Sequence, residues 1–519
     1  MSGVAAVDVP RFLKLTTCLP HDRCRAALNP SSGPFMIDKA IFQTSRDVAR
    51  MRLPEAEARN SFGYYIDIPN NWESYRSPEE LIGWFGIHVT HIAQFPELTQ
   101  NLGALTPEEI SWARRYTAFF DIASQMLATT GVRCDLRYDI AETLTDWRRI
   151  LKFKQLPARI LDFGAGCARQ GVSAFLRDPG NVYVAVDGTL AAYTLQNFVF
   201  ALIDTATGGR GSFDLLDFEA AQAQPPRIGE ARPGSRFHVP VWLIEDQVPS
   251  RFFDVVLASH VLFELSGYDF MRLIHCIDRG LADDGIVYVR GELNAVDPRD
   301  FFDAIDLHSY EIVPLLRQRG IVPIHCEHDT YLTTVFAREG SAPHRAARAR
   351  GERDLTAAQS GRDLVLDAGR SFVLAKLQQF AADGWRAVAI GDEGETFFEE
   401  LVRPALPKLA AAQVLSAAAM TAGDADQRRK IREFDADVVI ICSHDGVRIQ
   451  ALVQDMLGRE QFPLQLHYSY PIFFLIRDRR VRREAIFDQP IRTAADIPGA
   501  RPPRLHEIFP EAADPASAR

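Results

Sequence analysis

The stretch Arg159-Ile160-Leu161-Asp162-Phe163-Gly164-Ala165-Gly166-Cys167-Ala168-Arg169-Gln170-Gly171 decides how this chain folds. Its first half is a short apolar run that delivers an acid, as a buried strand does, and its second half is a G-x-G turn opening into a helix. The glycines let the backbone turn sharply and approach a ligand with no Cβ in the way. Val182 to Val186 then form a second apolar strand ending in Asp187, roughly 25 positions after Asp162, where a carboxylate can accept hydrogen bonds from both hydroxyls of a ribose. A grip on a pyrophosphate needs a third glycine three residues after Gly166, and Arg169 stands there, so a nucleoside ligand without phosphates is favoured.

Working outward, the texture from about 156 to 338 is that of an α/β unit with a mostly parallel sheet: short apolar runs (RILDF, VYVAV, FFDVVLAS, GIVYVRGE) alternate with helical stretches. RLIHCIDRGLADDG is predicted to be a helix stopping at Gly285, and YEIVPLLRQRG another stopping at Gly320. IVPIHCEH and TYLTTVFARE are joined by only a short turn and close the sheet as a hairpin, so the last strand runs antiparallel to its neighbour.

These residues resemble the class I S-adenosylmethionine-dependent methyltransferases. ILDFGAGCARQG is similar to their first motif, VYVAVDG to their second, FDVVLASHVLFEL to their fourth-strand segment and LADDGIVYVRGE to their glycine-led fifth strand; the one departure is Ala168 where a third glycine is usual. The resemblance implies a seven-stranded Rossmann-like sheet with an antiparallel last strand, and S-adenosyl-L-methionine as the bound donor. It implies that Phe163, Gly164, Ala165 and Gly166 pass under the methionine moiety, that Asp162 orients its ammonium end and that Asp187 holds the ribose. Glu245 or Asp246, in WLIEDQVP, would meet the adenine amine, and Ser259 would lie at the ligand edge. Residues 204 to 236 look like an insertion relative to the compact family core, and the third strand is poorly defined.

Methyl transfer from a sulfonium needs little covalent help, but a hydroxyl acceptor must lose a proton as it attacks, and a histidine suits that near neutral pH. His260 follows the fourth strand where such a base would be wanted; it can equally be a packed histidine bonded to its surroundings. Glu264 and Glu292 are further acceptor-side candidates, Glu292 alternatively capping the next helix, and His308 has a similar standing.

Before this unit, residues 1–34 read as a loosely held leader and 35–155 as a helical section capping the substrate. Ser77-Pro78-Glu79-Glu80 and Thr106-Pro107-Glu108-Glu109 each supply a capping hydroxyl, a proline at the first helical position and a glutamate three residues after the cap. Ile110, Ala113, Tyr116, Phe120, Ala123 and Leu127 make one apolar face on the helix that follows. FGYYIDIPNNWESYR, with Tyr64, Tyr65, Asn71 and Trp72, is either a substrate-covering loop or a packed domain joint. After the sheet, 339–370 reads as an arginine-rich linker, 371–480 as a smaller Rossmann-like α/β unit and 481–519 as a tail. No acid closes the strand AQVLSAA, so dinucleotide binding there is doubtful, and docking or homo-oligomerisation is the favoured role.

Composition sets the outer bounds. The 519 residues are 47% hydrophobic and 24% charged, which excludes disorder over most of the length. A net charge of −10, from 58 basic and 68 acidic residues, disfavours a broad nucleic-acid-binding face. The longest uncharged stretch, Leu409 to Gly423, is too short to span a membrane, and Asp8, Pro10 and Arg11 interrupt any secretory signal, so a cytoplasmic protein is expected. Seven scattered cysteines form no disulfide framework, and Cys18, His21 and Cys24 lack a second ligand cluster, so no metal site is expected. The leading expectation is an O-methyltransferase acting on a small polyhydroxy acceptor such as a sugar. The alternatives are a C- or N-methyltransferase of secondary metabolism, or a non-catalytic nucleoside-binding or docking protein.

Overall fold

The computed structural model describes residues 39–55, 61–62, 81, 105–127, 136–207, 211–216, 224, 226–262, 265–291, 312–328, 332–359, 361–391, 394, 397–443, 446–458, 461, 464–468, 472–477, 480 and 507–508. Two sheets organise them. The first has eight strands, β1 (Arg159–Phe163), β2 (Val182–Asp187), β3 (Ser212–Asp214), β4 (Arg236–Pro240), β5 (Phe253–Ser259), β6 (Leu281–Gly291), β7 (Ile321–His328) and β8 (Leu332–Arg338), in the order β3-β4-β2-β1-β5-β6-β8-β7. All pair in parallel except β8, which is antiparallel to both β6 and β7. The chain runs outward from β1 through β2 to β4, then returns to β5 on the other side of β1. The strand order therefore reverses beside the carboxyl ends of β1, β2 and β5, where open α/β sheets bind ligands.

This is the class I methyltransferase fold expected from the sequence, with one strand more than the seven predicted. The additional edge strand β3 is only three residues long. It is held by Arg236 of β4, whose guanidinium donates to Ser212 Oγ at 3.0 Å and to Gly234 O at 2.9 Å. The indistinct third strand of the sequence is β4, and it lies at the far end of the segment that looked like an insertion. The helix after β5 also stops earlier than predicted, at Gly280. The close approach of Phe253 and Val248 to Gly280 leaves no room for a side chain, and Leu281 already pairs with Phe253.

Helices α1 (Lys39–Arg50), α2 (Pro107–Leu127) and α3 (Arg137–Leu151) precede the sheet. α2 begins with the predicted capping box: the Glu109 N–H donates to Thr106 Oγ1 at 3.2 Å, and the Thr106 N–H donates to Glu109 Oε2 at 2.8 Å. Glu109 is also clamped by both prongs of Arg148 on α3, at 2.6 and 2.7 Å. The apolar faces of α2 and α3 bury Trp112, Phe119, Leu144 and Trp147 in the same core as Ile160, Val184 and Val256 of the sheet. A side chain such as Phe119, fully buried, contributes about 1.5–3 kcal/mol. Helices α4 (Arg169–Arg177), α5 (Leu190–Thr207) and α6 (Gly267–Gly280) are the main connectors. The capping motif at Ser77 and the aromatic residues Tyr64, Tyr65, Asn71 and Trp72 lie outside the described residues.

Both ends of the stretch expected to be a linker are helical, in α7 (Ala342–Ala349) and α8 (Gly361–Ala382). Ser341 caps α7 by accepting from the His344 N–H at 3.4 Å, and Pro343, His344 and Ala347 turn inward. The arginines that make the segment look like a solvated connector occupy the other face of α7. The second sheet has the order β10-β9-β11-β13-β12, from β9 (Arg386–Gly391), β10 (Ala411–Ser416), β11 (Val438–Cys442), β12 (Leu464–Tyr468) and β13 (Ile472–Ile476). β9, β10 and β11 are parallel, and β13 is antiparallel to β11 and β12. Separate apolar clusters cover its two faces, with Phe380 and Phe474 in one and Met420 and Ile449 in the other. Gly391 ends β9 because a Cβ there would stand 2.3 Å from the Phe398 ring.

Candidate functional site

The carboxyl ends of β1 and β2 meet as the sequence predicts. Gly164 and Gly166 take φ of +78° and +52°, and the N–H groups of Gly164 and Ala165 both donate to Val186 O, at 2.9 and 3.1 Å. A Cβ on Gly164 would lie 2.3 Å from Val261 Cγ2, so only glycine fits. Ala168 also sits at positive φ, +58°, immediately before α4, which is a physical reason for a glycine there. Phe163 and Ala165 are buried beside the turn.

Asp187 fastens this turn. Its Oδ2 accepts the Gly166 N–H at 2.9 Å, and its Oδ1 accepts the Thr189 N–H and hydroxyl at 2.9 and 3.0 Å. Burial raises its pKa, against the opposing pull of the Thr189 and Gly166 N–H groups. From α5, Gln196 Nε2 donates to Gly166 O at 2.8 Å.

Asp162 is buried on β1, where its Oδ2 accepts from the Tyr183 hydroxyl of β2. Burial pushes its carboxyl up to about 7, against the pull of the Tyr183 hydrogen bond and the Arg169 charge. The folded protein thus holds this proton more tightly than the unfolded chain, whose value is near 3.8. The associated stability is complete below that lower value and is lost as pH rises through 7. Asp162→Asn can still accept from Tyr183 but never ionises. Relative to the wild type, its unfolding free energy should gain on the order of 2–4 kcal/mol between pH 4 and 7.5. Urea titrations at both pH values check this, and a constant offset between the two proteins would contradict it.

At the ends of β5 and β6 the structure builds something the sequence reading missed. α3 directs Asp139, Glu142 and Asp146 into the sheet edge, where they meet Arg169 at the start of α4 and Arg290 near the end of β6. Arg169 reaches Asp139 at 2.8 Å and Glu142 at 2.5 Å. Arg290 pairs with Glu142 and, at 2.6 Å, with Asp146; it also donates to Ser259 Oγ at 2.9 Å. Asp146 further accepts from the Tyr288 hydroxyl at 2.5 Å and from Gln170 Nε2 at 2.7 Å, and Gln170 in turn accepts from Trp147 Nε1 at 2.9 Å. Both arginines are in close contact with acids, as buried charges must be.

His260 joins this network. It follows Ser259 with φ of +56°, and its Nε2 lies 2.7 Å from Glu142 Oε1 and 2.6 Å from an Arg290 terminal nitrogen. Burial and the Arg290 charge lower its pKa, with Glu142 opposing, so the ring is neutral at physiological pH. Burial disfavours the charge on Glu142, but Arg169, Arg290 and His260 together hold its pKa well below the ordinary range. Burial also pushes Asp139 up to about 6.

Two other predicted site residues, Glu245 and Asp246, lie apart from this network. Glu245 is on a four-residue helix (Ile244–Gln247) after β4, 3.2 Å from the Arg272 guanidinium, and Asp246 beside it is exposed. Glu264, Glu292 and His308 lie outside the described residues. Two features could have exposed the missed residues. One is an arginine in the otherwise apolar strand GIVYVRG; the other is the spacing of Asp139, Glu142 and Asp146 along one helix face. Among the described residues no group of three or more His, Cys, Asp or Glu could hold a metal ion, and no helix is long and apolar enough to cross a membrane.

The sequence matches no family model and no curated protein. Among solved structures, the chain is similar to a TehB-like SAM-dependent methyltransferase from Corynebacterium glutamicum, with 15% identity over 37% of this chain and 87% of that one, at a TM-score of 0.24. It is similar to an O-methyltransferase from neocarzinostatin biosynthesis in complex with S-adenosyl-L-homocysteine and 1,4-dihydroxy-2-naphthoic acid (12% identity, 38% of this chain and 55% of that one, TM-score 0.26). It is also similar to the Burkholderia thailandensis 1,6-didemethyltoxoflavin-N1-methyltransferase (17% identity, 39% and 87%, TM-score 0.24). The chain spans little more than half the length of the neocarzinostatin enzyme. Likenesses this partial carry no argument about activity, and the fold rests on the strand order and the glycine turn.

Proposed function

We propose that this protein is an S-adenosylmethionine-dependent methyltransferase that methylates a hydroxyl of a small polyhydroxy acceptor, such as a sugar or a sugar-bearing intermediate. The observation that carries the reading is the junction of β1 and β2. A turn with no room for a side chain at Gly164 is bolted through Gly166 to an acid at the next strand end, beside the point where strand order reverses. The residues fit a nucleoside donor: Gly164 and Gly166 leave the backbone bare, and Asp187 has oxygen lone pairs to offer a ribose. When bound, the donor supplies an activated methyl on a sulfonium.

The rest of the work falls to the chain's own groups. Phe163, Gly164, Ala165 and Gly166 form the floor, Asp162 is assigned to the amino end of the donor, and Glu245 or Asp246 to the base. His260, neutral because of burial and Arg290, is assigned to receive the acceptor's proton. The hydroxyl and sugar parts of the proposal rest on analogy of fold.

Isothermal titration of the full chain with S-adenosylmethionine is the first test, with micromolar binding expected. Transfer of a labelled methyl to polyhydroxy acceptors, with the label recovered on oxygen, is the second. A folded protein that takes up no donor would remove the basis of the proposal; label on carbon or nitrogen would correct only the acceptor.

A further inference from the structure

A nucleoside whose ribose is held at Asp187 must place its base one step further along the strand ends, over Gly188 and toward the residues that follow β4. That position is filled. A Cβ on Gly188 would lie 2.7 Å from the Phe62 carbonyl carbon, so the backbone of Phe62 rests directly on this glycine. The Phe62 ring lies 5.6 Å from the Trp242 ring and 5.0 Å from the Arg272 guanidinium carbon. An aromatic ring flanked by an indole and a guanidinium is the environment that a purine would seek.

Phe62 does not line an open pocket. A wall residue presents a face to the cavity, whereas Phe62 is 1% exposed and Phe42, which packs on the same Trp242 ring, is fully buried. Nor is its conformation relaxed. Its φ is +62°, in the left-handed region that strains a bulky L-residue and persists only where neighbours impose it. The neighbours are identifiable. The Phe62 N–H donates to Asp269 Oδ2 at 2.7 Å, and Ser61 Oγ lies 3.3 Å from Ser266 Oγ, both at the start of α6. α1 braces the same place: Phe42 packs 5.1 Å from Trp242, Ser45 Oγ accepts from Trp242 Nε1 at 2.8 Å, and Arg46 reaches toward Gly188 O at 3.5 Å.

We infer that Ser61 and Phe62 form a displaceable plug in the nucleobase seat, so that donor binding requires their release from Gly188, Asp269 and Arg272. The inference rests on the donor reading above and goes beyond it by giving the chain a closed state. The strained backbone of Phe62 is what would make release affordable. A closed state lowers the apparent affinity by the fraction of molecules that are open, so removing the ring that anchors the plug against Trp242 and Arg272 raises that fraction and the affinity with it.

The test is calorimetric titration of the full-length wild type and of Phe62→Ala with S-adenosylmethionine and with S-adenosylhomocysteine. The expected result is tighter binding to Phe62→Ala, by about tenfold for both ligands. Unchanged or weaker binding would mean that Phe62 supports the base instead of competing with it, and would overturn the plug while leaving the donor reading intact. No binding by either protein would overturn both. If Phe62→Ala does not fold, hydrogen exchange of the wild type decides. Saturating donor should speed exchange at Ser61 and Phe62 and across 39–55 if the plug leaves, and slow it if these residues close over the ligand, which would refute the plug.

Discussion

Replacing Arg290 by alanine is expected to lower the unfolding free energy of the first sheet unit by about 3–5 kcal/mol, the cost of breaking a buried ion pair from one side. Arg290 is 2% exposed, and the side chains of Glu142 and Asp146 are as deeply buried. Without the guanidinium, Glu142 keeps Arg169 and His260, whereas Asp146 retains, among the described residues, the Tyr288 hydroxyl and the Gln170 amide. The deficit should also show a mechanism. Combining Arg290→Met with Asp146→Asn removes the stranded carboxylate and should recover much of the loss, because replacing both partners of a buried ion pair is often close to neutral. Urea unfolding of the full chain, with the transition of this unit followed separately from that of the second, measures both. A deficit under 1 kcal/mol for Arg290→Ala would mean that water reaches this network.

The second large effect falls on donor affinity. On the proposed donor reading, Asp187→Ala should weaken S-adenosylmethionine binding by about a hundredfold or more, since the ribose hydroxyls lose a charged acceptor, at about 1.5–3 kcal/mol each, and the glycine turn loses the acid that fastens it. Asp187→Asn should be nearly as damaging, which is less usual for so conservative a change. Both carboxylate oxygens of Asp187 accept from backbone N–H groups, Gly166 on one side and Thr189 on the other. An amide has one oxygen, so whichever way it turns, its NH₂ faces one of those donors. Titration calorimetry on both variants is the check, and an asparagine variant within threefold of wild type would show that the turn does not depend on this double acceptance.

The two positions differ in how far the sequence foretold them. Asp187 was legible because a strand, an acid and a glycine turn are local features with fixed spacing. β1, β2, β5 and the closing hairpin were legible for the same reason. Arg290 and Glu142 were not, because their significance is a long-range contact: an arginine at the end of an apolar strand acquires its meaning only when a helix from far earlier in the chain supplies the acids. The stop at Gly280 was missed because a glycine packed against Phe253 and Val248 looks, in one dimension, no different from Gly285. β4 was missed because RFHVP is short and follows proline- and glycine-rich sequence. The cap at Thr106 was read correctly, since a capping box is complete within four residues.

Helix α3 therefore does more than cover the sheet. Arg169 and Arg290 both find their acids on it, and Arg149 at its far end donates to Thr333 of β8 at 2.8 Å. Lifted out without α3, the sheet and α4 would expose two uncompensated cations at the edge to which the proposed function assigns a cationic sulfonium. The glycine turn would survive such a transplant in sequence but not in electrostatic environment. The glycine turn of this protein is therefore not a portable cassette, and helix and sheet have to be inherited together for either to keep its electrostatic setting.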